Sequence, residues 1–401
     1  MERQITPPTP RADAHSRNVQ HAFVLFKIGA LIVFLGSMYP WFMWSMPVPY
    51  HVFSALFFTA SLVLSKKLCN PLFTCRDTFV PLLAFMTFFV YESIVQGKNV
   101  NSYLMLVFRA IIFYAVFAVD TRWLLRVSAF IAKVMGWILV PSIIAFILWL
   151  FGIKMAPTSV EFLDYSFDNY YLFLIDHRVL NQIFPRFVSY FPEPSHVGGA
   201  AAFLLFAQRG RWMRWYNIVL FVTLVLSFSL AAYVYMTVIV LLDLWIKKRK
   251  FLKKLAFTIG LYCTAVMATL NYNNGDNIVH NLILLRLEID NGKLAGDDRV
   301  SDVFQDEYER FLNSEDVMFG SGKILSEDMG LNSGYRVFIY YHGYIGVFLI
   351  AVFYYLAFIK SRNKRAVFSA LLLAGLYFIV SGFMLSEKLF LPLYVGAYRD
   401  D

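Results

Sequence analysis

The stretch Pro185-Arg186-Phe187-Val188-Ser189-Tyr190-Phe191-Pro192-Glu193-Pro194-Ser195-His196-Val197-Gly198-Gly199 holds an acidic residue between two prolines. Proline removes a backbone donor and pushes the preceding residue toward extended backbone, so Glu193 cannot lie inside a regular helix. Ser195 then reads as the N-cap of the helix that follows. The free N–H groups and dipole of such a helix end favour an anion. Arg186, just upstream, can add a bidentate contact to phosphate. The plainer reading is a capped turn with an arginine that reaches for water. For acid–base work, a carboxylate at the edge of an apolar region can have a raised pKa. That makes Glu193 the first choice of general base, with His196 and His342 as alternatives. Gly198, Gly199 and the alanines at 200–202 permit close approach of another helix.

The elements that must position these residues lie in a chain poorly suited to water. Of its 401 residues, 59% are apolar and only 16% are charged, and mean hydropathy is +0.58. A soluble domain would carry about a quarter charged residues. The expected fold class is an all-α integral membrane protein, a polytopic helical bundle. Apolar runs fall near 22–39, 51–65, 79–95, 103–119, 127–151, 195–207, 216–246, 255–271, 337–359 and 366–385. A crossing needs ~20 residues, so 216–246 is too long for one. Its middle, Ser227 to Ala232, reads as a break between two helices, which brings the expectation to about eleven (10–12) transmembrane helices. Residues 389–398 are too short to span, yet apolar enough to re-enter.

Charge gives the orientation. The basic segments 209–214 and 247–250 flank the divided run and should share the cytoplasmic side. With the N-terminus inside, 21 of the 36 Lys and Arg residues are cytoplasmic, whereas segment 272–336 holds 13 acidic and 6 basic residues. The expected organisation is a cytoplasmic tail over 1–21, irregular because of Pro7, Pro8 and Pro10, then a single membrane domain over 22–401 with outer loops 152–192 and 272–336. The first apolar run has no small-residue cleavage site and reads as an anchor. In the second loop, Val300, Val303, Phe304, Tyr308, Phe311 and Leu312 form a helical stripe suited to lying on the mouth of the bundle. Within the membrane, Arg109 and Glu92 lie roughly 9 and 5 Å from the outer ends of their runs, at 1.5 Å per residue. A structural ion pair is the plain reading; a contact to a ligand is the functional one. Cys69, Cys75 and Cys263 make neither a disulfide framework nor a zinc site. Asp297, Asp298 and Asp302 read as solvated acids, so no metal is expected.

Arg186 followed by Phe191-Pro192-Glu193-Pro194-Ser195 and Gly198 resembles the motif of the O-antigen polymerase and O-antigen ligase superfamily. Further along, Asp297-Asp298-Arg299 followed by Phe319-Gly320-Ser321-Gly322 is similar to the family's arginine and Gly-x-Gly turn. The resemblance covers about 180–350. It implies a metal-independent membrane glycosyltransferase acting on polyprenyl-diphosphate-linked glycans, without a cofactor, in the bacterial inner membrane. Donor and acceptor would both be lipid-linked oligosaccharides, and flippase and chain-length regulator proteins would be partners. Nucleic acid would not. On this resemblance Glu193, Arg186 and Arg299 would be catalytic. Arg336, Ser195, His196, Asn332, His342, Gly320 and Gly322 would bind substrate.

Ligases of this superfamily carry a His followed by Asn, Ser or Gln, nine residues, then Gly-x-x-Gly. Gly343-Tyr344-Ile345-Gly346 fits the end of that pattern, but Asn332 stands where the His belongs, and His342 falls ten residues later. The chain is more similar to the polymerase branch. Alternatives are a ligase-type glycan transferase, or a flippase moving the same lipid-linked glycan. A flippase would commonly show repeated halves, whereas here there is one large asymmetric loop and no repeat. The chemistry asks for cations aimed at a diphosphate leaving group, which outward-facing Arg186, Arg299 and Arg336 can supply. The plain readings are a surface pair with Asp302 for Arg299 and an interfacial residue among Tyr340, Tyr341 and Tyr344 for His342. No P-loop or dinucleotide fingerprint is present, so an activated donor would arrive on a lipid.

Overall fold

The computed structural model describes the chain apart from residues 1–9, 70–74, 98–99, 154, 163–164, 178–184, 248–250, 276, 278, 281–283, 286–288, 291–292, 295–300, 323–333, 383 and 400–401. Its helices are α1 (Pro10–Gly36), α2 (Tyr50–Leu64), α3 (Cys75–Val95), α4 (Val100–Ala118), α5 (Thr121–Leu150), α6 (Pro194–Ala207), α7 (Trp215–Leu226), α8 (Leu230–Lys247), α9 (Phe251–Asn271), α10 (Asp302–Leu312), α11 (Tyr335–Phe358), α12 (Lys364–Val380) and α13 (Glu387–Ala397). Five of these, within α1, α3, α5, α8 and α11, are long and apolar enough to cross a membrane; α2, α4, α6 and α7 are shorter apolar helices.

Each expected apolar run has a helix. The long run 216–246 divides as expected, α7 ending at Leu226 and α8 starting at Leu230. Ser227 Oγ donates to Leu224 O at 2.7 Å and accepts from Ser229 N at 3.3 Å. Local serine bonds thus hold the freed backbone that would otherwise be costly in an apolar setting. Gly198 explains why the break sits here: a Cβ on it would lie 2.6 Å from Ser227 Oγ and 2.8 Å from the Ala232 side chain. Small residues likewise seat α1 on α2, where Ser54 and Ser61 donate to the carbonyls of Gly29 and Ala22 at 2.7 and 2.6 Å.

Three features differ from the sequence reading. α1 already begins at Pro10, so residues 10–21 of the tail continue the helix; proline suits the first helical turn, and nothing after it breaks the run. The segment 152–192 is not merely a loop. It holds an antiparallel sheet of β1 (Thr158–Phe162), β2 (Tyr165–Asn169) and β3 (Leu174–Asp176), ordered β1-β2-β3. Its inward residues Phe167 and Leu174 pack with Val188, Trp41 and Trp44, the half-buried alternation expected of a sheet with one wet face. A two-residue pairing, β4 (Ile289–Asp290) with β5 (Lys293–Leu294), lies in the other loop. The third feature is α13, whose residues are all buried. Phe390 lies within ring contact of Phe113 of α4 and Phe353 and Phe358 of α11, at 4.8, 5.3 and 6.0 Å. The C-terminal segment is therefore a short helix inside the bundle.

The basic segments meet at one end of the bundle. Arg209 is fully buried and donates to Gly396 O and Arg399 O at 2.6 and 2.9 Å. Arg399 returns a bond to Ala207 O at 2.7 Å, and Arg365 donates to Trp245 O at 2.8 Å. A Cβ at Gly210 would sit 3.8 Å from Lys247 Nζ. Asp120 caps α5 at the Arg122 N–H, and the hydrogen bonds of Arg122 hold its carboxyl below the ordinary range. The opposite end gathers the sheet, the segment 185–193, the α7–α8 break and the N-terminus of α11.

Candidate functional site

At that opposite end the chain between the sheet and α6 forms a mouth. Phe187 N donates to Leu226 O at 3.1 Å, which sets Arg186 beside the α7–α8 break. Leu174 N donates to Ser189 O, and Trp41 N donates to Tyr190 O, both at 2.9 Å. Ser189 has a φ of 56°, and its hydroxyl accepts from Ser142 of α5 at 2.9 Å. These bonds fix the turn that delivers Pro192-Glu193-Pro194. Glu193 is extended, at φ −136° and ψ 146°, as its flanking prolines require.

The cap differs from expectation. Glu193, not Ser195, is the N-cap residue of α6, and Pro194 takes the first helical position. Proline is well placed there because that N–H has no helical partner anyway. Ser195 is thereby moved into the first turn, where its hydroxyl donates to Glu193 Oε2 at 2.8 Å. The carboxylate is exposed and oriented by a neighbour two residues on. His196 turns away, its Nδ1 donating to Met38 O at 3.1 Å.

Below this mouth lies a set of charges at the N-terminus of α13. Arg109 of α4 donates through Nε to Glu387 Oε1 at 3.2 Å and through Nη2 to Leu385 O at 2.5 Å. His51 Nε2 approaches the same carboxylate oxygen at 3.3 Å. Lys388, next along, lies within electrostatic range of Glu193 and Glu387. α6 and α13 pack together and both run toward the basic end, where Phe206 crowds Gly396. At 1.5 Å per residue, their lengths put the start of α13 roughly 5 Å deeper than Glu193.

A second cluster joins α3, α11 and the loop before α11. Gly343 breaks the helical geometry of α11 at φ 59° and ψ −172°. A Cβ there would lie 2.4 Å from Met318 O, and one at Gly320 would lie 2.3 Å from Tyr341 O. The Gly-x-Gly turn and the Gly-x-x-Gly segment therefore share one close backbone crossing. Ser321 N donates to Tyr340 O at 2.8 Å, and the Tyr91 hydroxyl bonds both Phe319 O and His342 O at 2.7 Å. His342 is buried between α3 and α11, edge-on to Phe88 and Phe338, with Glu92 Oε1 at 3.9 Å and Gln96 Nε2 at 3.4 Å. It lies among aromatic rings, Phe88 and Phe338 and, of the expected tyrosines, Tyr341 at 6.3 Å. α10 packs Phe304, Tyr308 and Phe311 against Tyr340; burial pushes the Tyr308 phenol up to about 12, and Arg336 lies near enough to oppose that shift. Gly343→Ala should destabilise the protein by about 1–3 kcal/mol from backbone strain alone, with the clash adding to it. Gly375→Ala, where a Cβ meets open space, should leave the melting curve in detergent unchanged or higher. Equal curves for Gly343→Ala and wild type would remove the crossing from the account.

The structure thus brings Glu193, Ser195 and His196 to one mouth, and places Gly320 and Gly343 at one close backbone crossing. Gly322 also lies close to Val95, where a Cβ would sit 3.1 Å from its carbonyl. The contacts of Arg109 and Glu92 described above lead to different elements, one to α13 and the other to α11. Arg299, Asn332, Asp297 and Asp298 lie outside the described residues. Sequence reasoning passed over Glu387, Lys388 and His51. The available signal was a charged pair opening the apolar run 389–398, since ionisable residues inside a membrane segment are expensive and usually have partners.

The apolar helices and the buried charges define a multi-pass helical membrane protein. No protein-family model, no curated protein and no solved structure matches the chain.

Proposed function

We propose that this chain is a surface-polysaccharide polymerase. It joins oligosaccharide repeat units carried on polyprenyl diphosphate at the outer face of the bacterial inner membrane, with about eleven crossings and its basic end in the cytoplasm. The observation that carries this reading is the Glu193 turn: an exposed carboxylate, oriented by Ser195, at the mouth of an apolar bundle and directly above buried cations. The acceptor hydroxyl gives its proton to Glu193 as its oxygen attacks the anomeric carbon of the donor. The bond from that carbon to the diphosphate breaks, and Arg186 and Arg299 take up the charge that develops on the leaving group. Holding both glycans in line supplies much of the remaining acceleration.

Arg186→Ala and Arg299→Ala should each abolish long-chain glycan in cells at normal protein level. Lysine should rescue little, because it cannot reproduce a bidentate phosphate contact. Wild-type chain lengths in both alanine variants would leave these arginines with surface roles only. Topology is open to a separate test. With the native cysteines replaced, a cysteine at Asp176 or Asn313 should react with an impermeant reagent in intact spheroplasts. Protection at both positions would reverse the orientation.

A further inference from the structure

At the basic end, residues 210–214 and the last turn of α8 flank an open groove of about 550 Å³. Its lining carries three cations, Arg211, Arg214 and Lys247, against one carboxylate, Asp243. Lys247 donates to Asp243 Oδ2 at 2.7 Å, so that pair is internally balanced and the excess charge is that of the two arginines. Both arginines are exposed, and among the described residues neither guanidinium makes a hydrogen bond or an ion pair. Two more polar groups of the lining are unsatisfied. Asp243 is 6% exposed, yet its Oδ1 has no hydrogen-bond partner among the described residues, and neither has the buried Nε1 of Trp212. A buried donor or acceptor without a partner is costly and asks for a reason. The groove therefore suits a ligand that brings negative charge to the arginines and the indole N–H, and a hydrogen-bond donor to the Asp243 carboxylate.

We infer that the groove binds an anionic phospholipid whose headgroup carries free hydroxyls, as that of phosphatidylglycerol does. The phosphodiester oxygens accept from Arg211, Arg214 and the Trp212 N–H, and a headgroup hydroxyl donates to Asp243 Oδ1. A carboxylate within the groove weighs against a ligand made only of acceptors, such as a bare phosphate. The surroundings decide for a lipid. Met213 at the rim is 87% exposed, and α7 runs on from the groove with Trp215, Ile218, Phe221 and Val225 exposed along one face, an apolar track for acyl chains. Tryptophan beside basic residues is also the side-chain mix of a membrane–water interface, where basic pockets hold lipid headgroups. The groove lies at the end of the bundle opposite the Glu193 mouth, and the inference does not depend on the polymerase reading.

The test is titration of the purified full chain, delipidated in detergent, with dioctanoyl phosphatidylglycerol, read by thermal shift and native mass spectrometry. Binding should be saturable. Dioctanoyl phosphatidylcholine should not compete, and dioctanoyl phosphatidylmethanol, of equal charge but without hydroxyls, should bind roughly 10-fold more weakly. Arg211→Gln with Arg214→Gln should weaken phosphatidylglycerol roughly 10- to 100-fold, the loss expected for charge-assisted contacts. Trp212→Phe, which keeps a ring and removes the N–H, should weaken it as well. Phosphatidylcholine bound as tightly as phosphatidylglycerol overturns the site, and that arm needs no variant to fold. Glycerophosphoglycerol, the same headgroup without tails, bound as tightly overturns the lipid assignment in favour of a soluble anion. Equal affinity for phosphatidylmethanol overturns the contact with Asp243. A folded double-arginine variant with unchanged affinity overturns the proposal outright.

Discussion

Glu193→Gln should lower the polymerisation rate by about 10²–10⁴-fold, the usual cost of losing a general base. The amide keeps the shape of the side chain and can still accept the Ser195 hydrogen bond seen at 2.8 Å, so a large loss isolates proton transfer from packing. Asn332→Ala should cost far less, about the one or two kcal/mol of a lost hydrogen bond. An asparagine side chain cannot take a proton at neutral pH. Rates on purified protein with a synthetic lipid-linked repeat unit separate the two. An inactive Asn332→Ala beside a nearly normal Glu193→Gln would reverse the roles assigned to these positions.

The largest effect on stability should come from Glu387→Gln. It leaves the Arg109 guanidinium inside the bundle without its counter-charge, and breaking a buried pair in this way costs about 3–5 kcal/mol. The melting temperature in detergent should fall well below wild type. Arg122→Ala, at the exposed end of its pair with Asp120, should leave the curve where it is. The double change Arg109→Met with Glu387→Met should recover much of the lost stability, since apolar side chains of similar volume can replace a buried ion pair. Recovered stability with no recovered activity would give the pair a part in the site. Recovery of both would make it a packing device.

What could be read from one sequence follows from range. The helices are written locally in apolar runs, and the α7–α8 break is written in Ser227 and Ser229, whose bonds reach no further than a few residues. The extended Glu193 is equally local, because Pro192 and Pro194 impose it. The cap shows where local reading stops: Ser195 is the residue type that favours an N-cap, yet Pro194 takes the first helical position and leaves Glu193 as the cap residue. The sheet was hidden because short strands in a polar loop carry little periodic signal; β1 and β2 pair through Val160 opposite Phe167, a register no single strand announces. Arg109 and Glu387 are 278 positions apart, and nothing in a single chain marks them as partners. The same holds for the crossing of Gly320 with Gly343, where the sequence offers two glycine patterns but not their contact.

The polymerase reading is tested most directly by incubating the purified protein in detergent with a synthetic polyprenyl-diphosphate-linked repeat unit and resolving the products by mass. The expected result is a ladder of glycans lengthening by whole repeat units, with release of polyprenyl diphosphate and loss of the ladder in Glu193→Gln. Repeat units that stay single, or that change only their side of the membrane when the protein is reconstituted in vesicles, would contradict it.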